Sequence, residues 1–139
     1  MKTILITGAT DGIGRETARQ LLAQGHRVLL HGRTRERAQQ TLNALNATTA
    51  ESVWGNLADM RQVLALAEQV RQHTPVLDVL LHNAGIYEYA RRLTADGFEM
   101  TMAVNHFAPF LLTQALLDLV KVSPQGRIVT VSSIAHQSG

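Results

Sequence analysis

Short apolar runs alternate with longer amphipathic segments along the whole chain. The apolar runs have the length of strands, and the segments between them repeat apolar residues at helical spacing. The pattern predicts strands over residues 3–6, 27–31, 51–54, 77–82 and 127–131. It predicts helices over residues 13–24, 35–45, 59–72 and 95–120.

Local signals support several of these elements. Gly25 follows the first helix as a C-cap, and Thr34 precedes the second helix as an N-cap. The second strand is apolar over residues 28–30, which indicates burial on both faces, as in a parallel sheet. Pro109 lies inside the last helical segment and predicts a kink or a break there, because proline lacks a backbone donor.

Strands that alternate with helices predict an α/β fold, here a Rossmann-type doubly wound parallel sheet in one domain over residues 1–139. Because a glycine-rich loop follows the first strand, the expected strand order is 3-2-1-4-5. The last strand is apolar over residues 128–131 and would form an exposed edge. The sheet is therefore expected to be incomplete at its C-terminal edge.

Composition narrows the classes of function. A net charge of +2 without a basic run argues against nucleic acid as a partner. The chain has no cysteine, and its six histidines show no metal-ligand spacing, so no metal site is predicted. The first strand leaves no room for a secretory signal before it, and no apolar run approaches the length of a membrane span. A cytoplasmic protein is therefore expected.

Residues 7–14 read TGATDGIG and join the first strand to the first helix. Glycine permits positive φ and the close approach of a ligand, and this loop has Gly8, Gly12 and Gly14. The helix that follows presents free N–H groups and the positive end of its dipole at its N-terminus. The loop therefore predicts a phosphate site, and the alternative is a tight, closely packed turn.

The residue after the second strand discriminates between two dinucleotides. Folds that prefer NAD place an acid there to bind the ribose 2′-hydroxyl, whereas this chain has Gly32 followed by Arg33. Arginine gains charge-assisted, bidentate bonds from a 2′-phosphate. NADP is predicted in preference to NAD, and Arg35 and Arg37 could share this role. The alternative is that Arg33 is a solvated residue at the start of the second helix.

Four motifs follow one another along the chain: TGATDGIG at 7–14, HNAG at 82–85, VNH at 104–106 and RIVTVSS at 127–133. In this order they resemble the N-terminal part of a short-chain dehydrogenase/reductase. The run NHFAPFLLT at 105–113 is most similar to retinol-dehydrogenase-like members. The resemblance covers nearly the whole chain.

The resemblance implies cofactor-binding roles for residues at the strand ends. They are Gly8, Thr10, Asp11, Gly12, Ile13 and Gly14 for the pyrophosphate, Asn56 and Leu57 for the adenine, and Asn83, Ala84 and Gly85 beside the ribose. Asn56 stands where the family has Asp, and it keeps an acceptor oxygen. His82 stands where the family often has Asn, and it is expected in the core or behind the site.

For catalysis, the resemblance implies that Ser133 binds the substrate carbonyl, with Ser132 as the alternative, and that Asn105 holds a water of a proton relay through its main-chain carbonyl. The implied function is an NADP(H)-dependent oxidoreductase that moves a hydride between nicotinamide and an alcohol or carbonyl substrate, and a homo-oligomer is compatible with it.

The family's tyrosine, with a lysine four residues on, does not occur in the chain, and Tyr87 has Arg91 at that spacing. The chain alone is predicted to be inactive, as the retained part of a longer enzyme. The alternative function is a noncatalytic dinucleotide-binding module or sensor.

Overall fold

The computed structural model describes residues 1–85 and 92–131, and the strands in these ranges form one parallel sheet. The strands are β1 (Thr3–Ile6), β2 (Arg27–Gly32), β3 (Ala50–Trp54), β4 (Val79–His82) and β5 (Arg127–Thr130). Their order is β3-β2-β1-β4-β5, with β1 paired to β2 on one side and to β4 on the other. The predicted fold class and strand order are confirmed.

Helices connect the strands on both faces of the sheet. They are α1 (Gly12–Ala23), α2 (Arg35–Leu45), α3 (Met60–His73), the short α4 (Met100–Met102) and α5 (Ala108–Lys121). The first three lie within one residue of their predicted bounds. The caps act as expected: the Thr34 side chain accepts a hydrogen bond from the Arg37 N–H, and Gly25 has a φ of +88° just after α1.

The prediction of one helix over residues 95–120 is wrong at its start, because the helical backbone begins only at Met100. Before it, Leu93 and Glu99 form an isolated antiparallel bridge around a turn in which Gly97 has a φ of +83°. The Thr94 hydroxyl accepts N–H groups of this turn, and the Glu99 carboxylate caps α4. These local hydrogen bonds compete with a helix, which is why helical spacing alone misplaced the boundary.

The irregularity expected at Pro109 is a π-helical segment, Ala103–Phe107, that precedes it. Pro109 lies in the first turn of α5, where its missing N–H is tolerated. The Ala108 N–H donates to the Ala103 carbonyl, five residues back, as in a π turn. Asn105 lies in the middle of this segment.

Two apolar clusters cover the two faces of the sheet. On one face Leu29 and Leu80 pack with α3 and α5, and on the other Ile6 and Leu30 pack with α1 and α2. Alternate strand residues thus enter opposite clusters, as burial on both faces requires. β5 is exposed along its whole length.

The helical run Met100–Lys121 is long and apolar enough to cross a membrane by length and composition, with a mean hydropathy of 1.2. This finding departs from the expectation that no segment approaches that length. However, Leu112 and Leu116 of α5 are buried in the cluster beneath the sheet. A helix that packs into a core passes the same test, so the run is weak evidence for a membrane span.

Candidate functional site

A cavity of about 440 Å³ lies at the carboxyl ends of the strands, between the loops that follow β1, β2, β3 and β4. All the predicted cofactor-binding residues except Gly14 line it. They are Gly8, Thr10, Asp11, Gly12, Ile13, Arg33, Asn56, Leu57, Asn83, Ala84 and Gly85. Ligands of open α/β sheets bind at this switch point between strands, and the structure brings these predicted residues together there.

The loop after β1 has the geometry of an anion cradle. Gly8 and Gly12 have φ values of +65° and +55°, and α1 begins at Gly12. Asp11 is the N-cap of α1, and in the described structure its side chain makes no capping bond. The first-turn N–H groups of α1 have no intrahelical acceptors, and Gly12 and Ile13 lie in the cavity wall. The positive end of the α1 helix dipole therefore faces the cavity, where it would favour a negatively charged group.

Gly14 does not line the cavity, because it lies behind the loop. A Cβ atom at this position would be 2.3 Å from both Asn83 Nδ2 and the carbonyl oxygen of Gly8. Gly8 is also confined, since its own Cβ would be 2.9 Å from the Cα of Ala84. These glycines let the loop approach the end of β4 closely. The structure thus shows a packing role for Gly14, and its predicted cofactor contact stays a prediction.

Hydrogen bonds fix the loop to β4. Asn83 Nδ2 donates to the carbonyls of Thr7 and Gly8, at 3.2 and 3.0 Å. In return, Thr7 Oγ1 accepts the backbone N–H groups of Asn83 and Ala84, both at 3.0 Å. The motifs at 7–14 and 82–85 are therefore one structural unit.

His31 is a site residue that the sequence did not single out. Its ring is buried, with Nδ1 accepting the Gly8 N–H at 3.0 Å and Nε2 lying 2.8 Å from the Gly55 carbonyl oxygen. Burial lowers the pKa of His31 to about 4, so the ring is neutral at pH 7. The only signal in the sequence was a histidine that continues an otherwise apolar, doubly buried strand.

The end of the cavity nearest α2 is cationic. Arg33 and Arg37 both line it and are exposed. Arg35, in contrast, lies outside the lining, with its guanidinium 5.4 Å from the centroid of the Trp54 ring. Gly32 lets α2 begin close to the strand, since a Cβ there would be 2.8 Å from the Ala38 nitrogen. Of the three candidate arginines, the structure places two at the cavity.

Asn56 and Leu57 form the wall of the cavity after β3. The Asn56 side-chain oxygen accepts the Ala58 N–H at 3.0 Å, and the Asn56 N–H donates to Gln62 Oε1 at 2.8 Å. The Asn56 side-chain oxygen therefore holds the local turn, and the adenine contact expected through the Asn56 side chain or the Leu57 backbone stays a prediction. The Asn56 amide group keeps its donor side for a ligand.

Of the two predicted catalytic residues, the structure describes only Asn105. A Cβ built on Gly85 would be 3.5 Å from Asn105 Oδ1, so the two residues are neighbours at the cavity edge. The predicted role of the Asn105 main-chain carbonyl stays a prediction. Ser133, its alternative Ser132, and Tyr87 lie outside the described residues.

His82 faces α5, where its Nε2 lies 2.7 Å from Thr113 Oγ1. It is buried, and this burial lowers its pKa to about 4. These observations agree with the expected core position. Within residues 1–85 and 92–131, no group of three His, Asp or Glu side chains could hold a metal ion.

Comparison with known proteins agrees with this geometry. A family model described as short chain dehydrogenase matches residues 2–139. Human retinol dehydrogenase 14 is 41% identical over 155 residues, which cover 99% of this chain and 46% of that protein. The chain thus spans about half the length of the curated relatives it matches.

Solved structures also match this chain over only part of their own length. An active-site complex of Pseudomonas aeruginosa RhlG with NADP matches with a TM-score of 0.84 at 28% identity, over 96% of this chain and 55% of that one. A short chain dehydrogenase from Shigella flexneri matches with a TM-score of 0.84 at 34% identity, over 99% of this chain and 57% of that one. Both contain the present fold within a longer chain.

Proposed function

The chain belongs to the short chain dehydrogenase family, and on this basis we propose that the protein that contains it is an NADP(H)-dependent oxidoreductase. It transfers a hydride between the nicotinamide and an alcohol or carbonyl substrate. The observation that carries the proposal is the cavity at the switch point, which has a glycine cradle at one side and two arginines at the other. We also propose that the protein is cytoplasmic.

The residues present fit a dinucleotide. Backbone N–H groups at the start of α1 suit a pyrophosphate, and the close approach at Gly8 depends on the absence of a side chain. The small residues Ala84 and Gly85 leave room beside the loop for a ribose. When bound, the cofactor supplies the hydride chemistry, and the protein supplies position and electrostatics.

NADP is favoured over NAD by the charges at the cavity end. No acid stands after β2 to bind a 2′-hydroxyl, and Arg33 and Arg37 both line the wall there. A charge-assisted hydrogen bond contributes about 1.5–3 kcal/mol, so one such bond to a 2′-phosphate gives a preference of tenfold or more. The named NADP complex of the Pseudomonas aeruginosa protein supports the same choice.

The proposed catalytic roles rest on the membership of the chain in the family. We propose that Ser133 stabilises the oxygen of the substrate carbonyl, an oxyanion-type role, and that Asn105 positions a water of the proton relay. The family's tyrosine and lysine pair is not found in the 139 residues. The chain alone is therefore expected to bind dinucleotide without turnover, and catalysis is proposed for the full-length protein.

Titration of the full-length protein with NADPH and NADH tests the cofactor. We expect NADPH to bind at least about tenfold more tightly, and Arg33→Ala to remove most of that difference. Arg35→Ala is the matched control, since Arg35 contacts Trp54 outside the cavity and its loss should leave the ratio unchanged. Equal affinity of the wild-type protein for both dinucleotides would contradict the NADP assignment.

Turnover is tested separately, by NADPH oxidation with a panel of aldehydes and ketones. Loss of activity in Ser133→Ala with retained NADPH affinity is expected. NADPH binding without turnover of any aldehyde or ketone, and without NADP⁺ reduction by the corresponding alcohols, would instead favour the noncatalytic module, which no observation on the described residues or the relatives supports.

A further inference from the structure

We propose that His31 is a positioning residue for dinucleotide binding, which acts as a neutral Nε2–H imidazole that clamps the glycine loop to the loop after β3. The inference rests on the proposed function and concerns the same cavity. His31 is the next-to-last residue of β2, the strand between β1 and β3, and the residue is only 2% exposed. It therefore lies between the two loops that it connects.

The partners of the ring specify its protonation state. Gly8 offers an N–H group to Nδ1 at 3.0 Å, and the Gly55 carbonyl oxygen lies 2.8 Å from Nε2. A donor on one side and an acceptor on the other are both satisfied only when the proton is on Nε2. The cation would direct an N–H at the Gly8 N–H, and the other neutral tautomer would misdirect both nitrogens.

The backbone of His31 extends the clamp by one residue. Its carbonyl oxygen accepts the Ala9 N–H at 2.9 Å, so the ring and the main chain of one residue hold two consecutive amides. With these amides directed at β2, the loop is held as it turns into α1, whose free N–H groups line the cavity. A cradle that is fixed before binding avoids the entropy cost of ordering the loop.

The second partner of the ring, the Gly55 carbonyl, connects the clamp to the loop after β3. Gly55 precedes Asn56 and Leu57, which form the cavity wall after β3. His31 therefore sets the separation between the wall proposed for the pyrophosphate and the wall proposed for the adenine. The charged side chains that line the same cavity are Asp11, Arg33, Arg37 and Arg92, and neither hydrogen bond of the ring is made to one of them.

Three variants of the full-length protein test the clamp through NADPH affinity. His31→Leu removes both bonds and leaves the partly buried Gly8 N–H without this acceptor, so the Kd of NADPH should rise about tenfold or more. His31→Asn places an acceptor oxygen where Nδ1 was, and it should restore most of the affinity. Ser123→Ala is the control for lost stability, because this buried hydroxyl binds Asp78 at the opposite end of the sheet and should leave the Kd unchanged.

The ring nitrogens supply a readout that packing alone would not change. In ¹⁵N spectra of the wild-type protein at pH 7, His31 should be the neutral Nε2–H tautomer. A cationic ring, an Nδ1–H tautomer, or an unchanged NADPH Kd in His31→Leu would each overturn the inference. If the wild-type protein binds neither NADPH nor NADH, the proposed function fails and the dinucleotide role of His31 fails with it, whereas normal wild-type binding with a normal His31→Leu Kd defeats only the clamp.

Discussion

Thr7 and Asn83 bind each other in both directions, across the boundary between β1 and β4. The Asn83 side-chain amide donates to the Thr7 carbonyl at 3.2 Å, while the Thr7 hydroxyl accepts the Asn83 N–H at 3.0 Å. The two residues lie 76 positions apart in the sequence. These hydrogen bonds join the two loops that bound the cavity on this side.

Asn83→Asp should loosen this unit severely. The change replaces the Nδ2 donor by a carboxylate oxygen that faces the carbonyls of Thr7 and Gly8. We expect the free energy of unfolding to fall by about 2–3 kcal/mol, the cost of leaving a partly buried charged group unpaired. Urea unfolding of the full-length protein measures it. Asn43→Asp on exposed α2 is the matched control, because the Asn43 oxygen already accepts a bond from Gln39.

The fold was largely readable from the sequence, because periodicity reports burial directly. Strands that are apolar on both faces alternate with amphipathic helices, and this pattern predicted the order of the elements. Thr34 marked the start of α2 as its N-cap, and Gly25 marked the end of α1. The start of the last helix was not readable in this way. The hydrogen bonds of Thr94 and the turn at Gly97 outweigh helical spacing there, and such competition is not visible in periodicity.

Site residues could be proposed from the sequence where the residue type has few possible roles. Gly8 and Gly12 after β1 and Arg33 after β2, all predicted as cofactor contacts, line the cavity. His31 was missed because a histidine has several roles in a core, and its role depends on Gly55, a partner 24 residues away. Asn56 also lines the cavity, but its side-chain oxygen accepts the Ala58 N–H, a local bond that the resemblance did not imply.

Glycine substitutions should separate packing from cofactor contact. Gly14 lies inside α1, where alanine has the higher helix propensity, yet its Cβ would be 2.3 Å from two polar atoms. Gly14→Ala should therefore destabilise the fold by about 3 kcal/mol, at the upper end for overpacking. Gly12→Ala meets no atom within 4 Å and has only the strain of a φ of +55°, about 1–2 kcal/mol.

Gly25→Ala is the control for that strain. Gly25 also has positive φ and open space, but it lies at the far end of α1. We expect Gly12→Ala and Gly25→Ala to lose similar free energy of unfolding, while only Gly12→Ala raises the Kd of NADPH. Similar NADPH affinity in both variants would show that Gly12 is not a phosphate contact.

Asp78 should contribute to stability without affecting the cavity. Its carboxylate accepts the Thr3 N–H and the Ser123 hydroxyl, both at 2.7 Å, at the opposite end of the sheet. Asp78→Ala leaves both donors unpaired, so the free energy of unfolding should fall by about 1–3 kcal/mol. Thermal unfolding and NADPH titration measured together check this, and a weaker NADPH affinity at a temperature where the variant is fully folded would contradict it.

Acid should destabilise the protein through its two buried histidines. Burial lowers the pKa of both His31 and His82 to about 4, against about 6.5 in the unfolded chain. Between these values the unfolded state binds more protons than the folded state, so the free energy of unfolding falls as pH drops from about 6.5 to about 4. Each histidine then accounts for a loss of roughly 3 kcal/mol across this window, and above it the contribution is complete.

His82→Gln isolates one of these two protonation steps, because glutamine can keep a hydrogen bond to Thr113 but takes up no proton. The variant should be less stable than the wild-type protein at pH 7, since the ring packing is lost. As pH falls from 6.5 to 4.5, the wild-type protein should lose stability relative to the variant at up to about 1.4 kcal/mol per pH unit, so the gap closes or reverses. Urea unfolding of both proteins over this range measures the gap, and a gap that stays constant with pH would mean that His82 titrates equally in the folded and unfolded states.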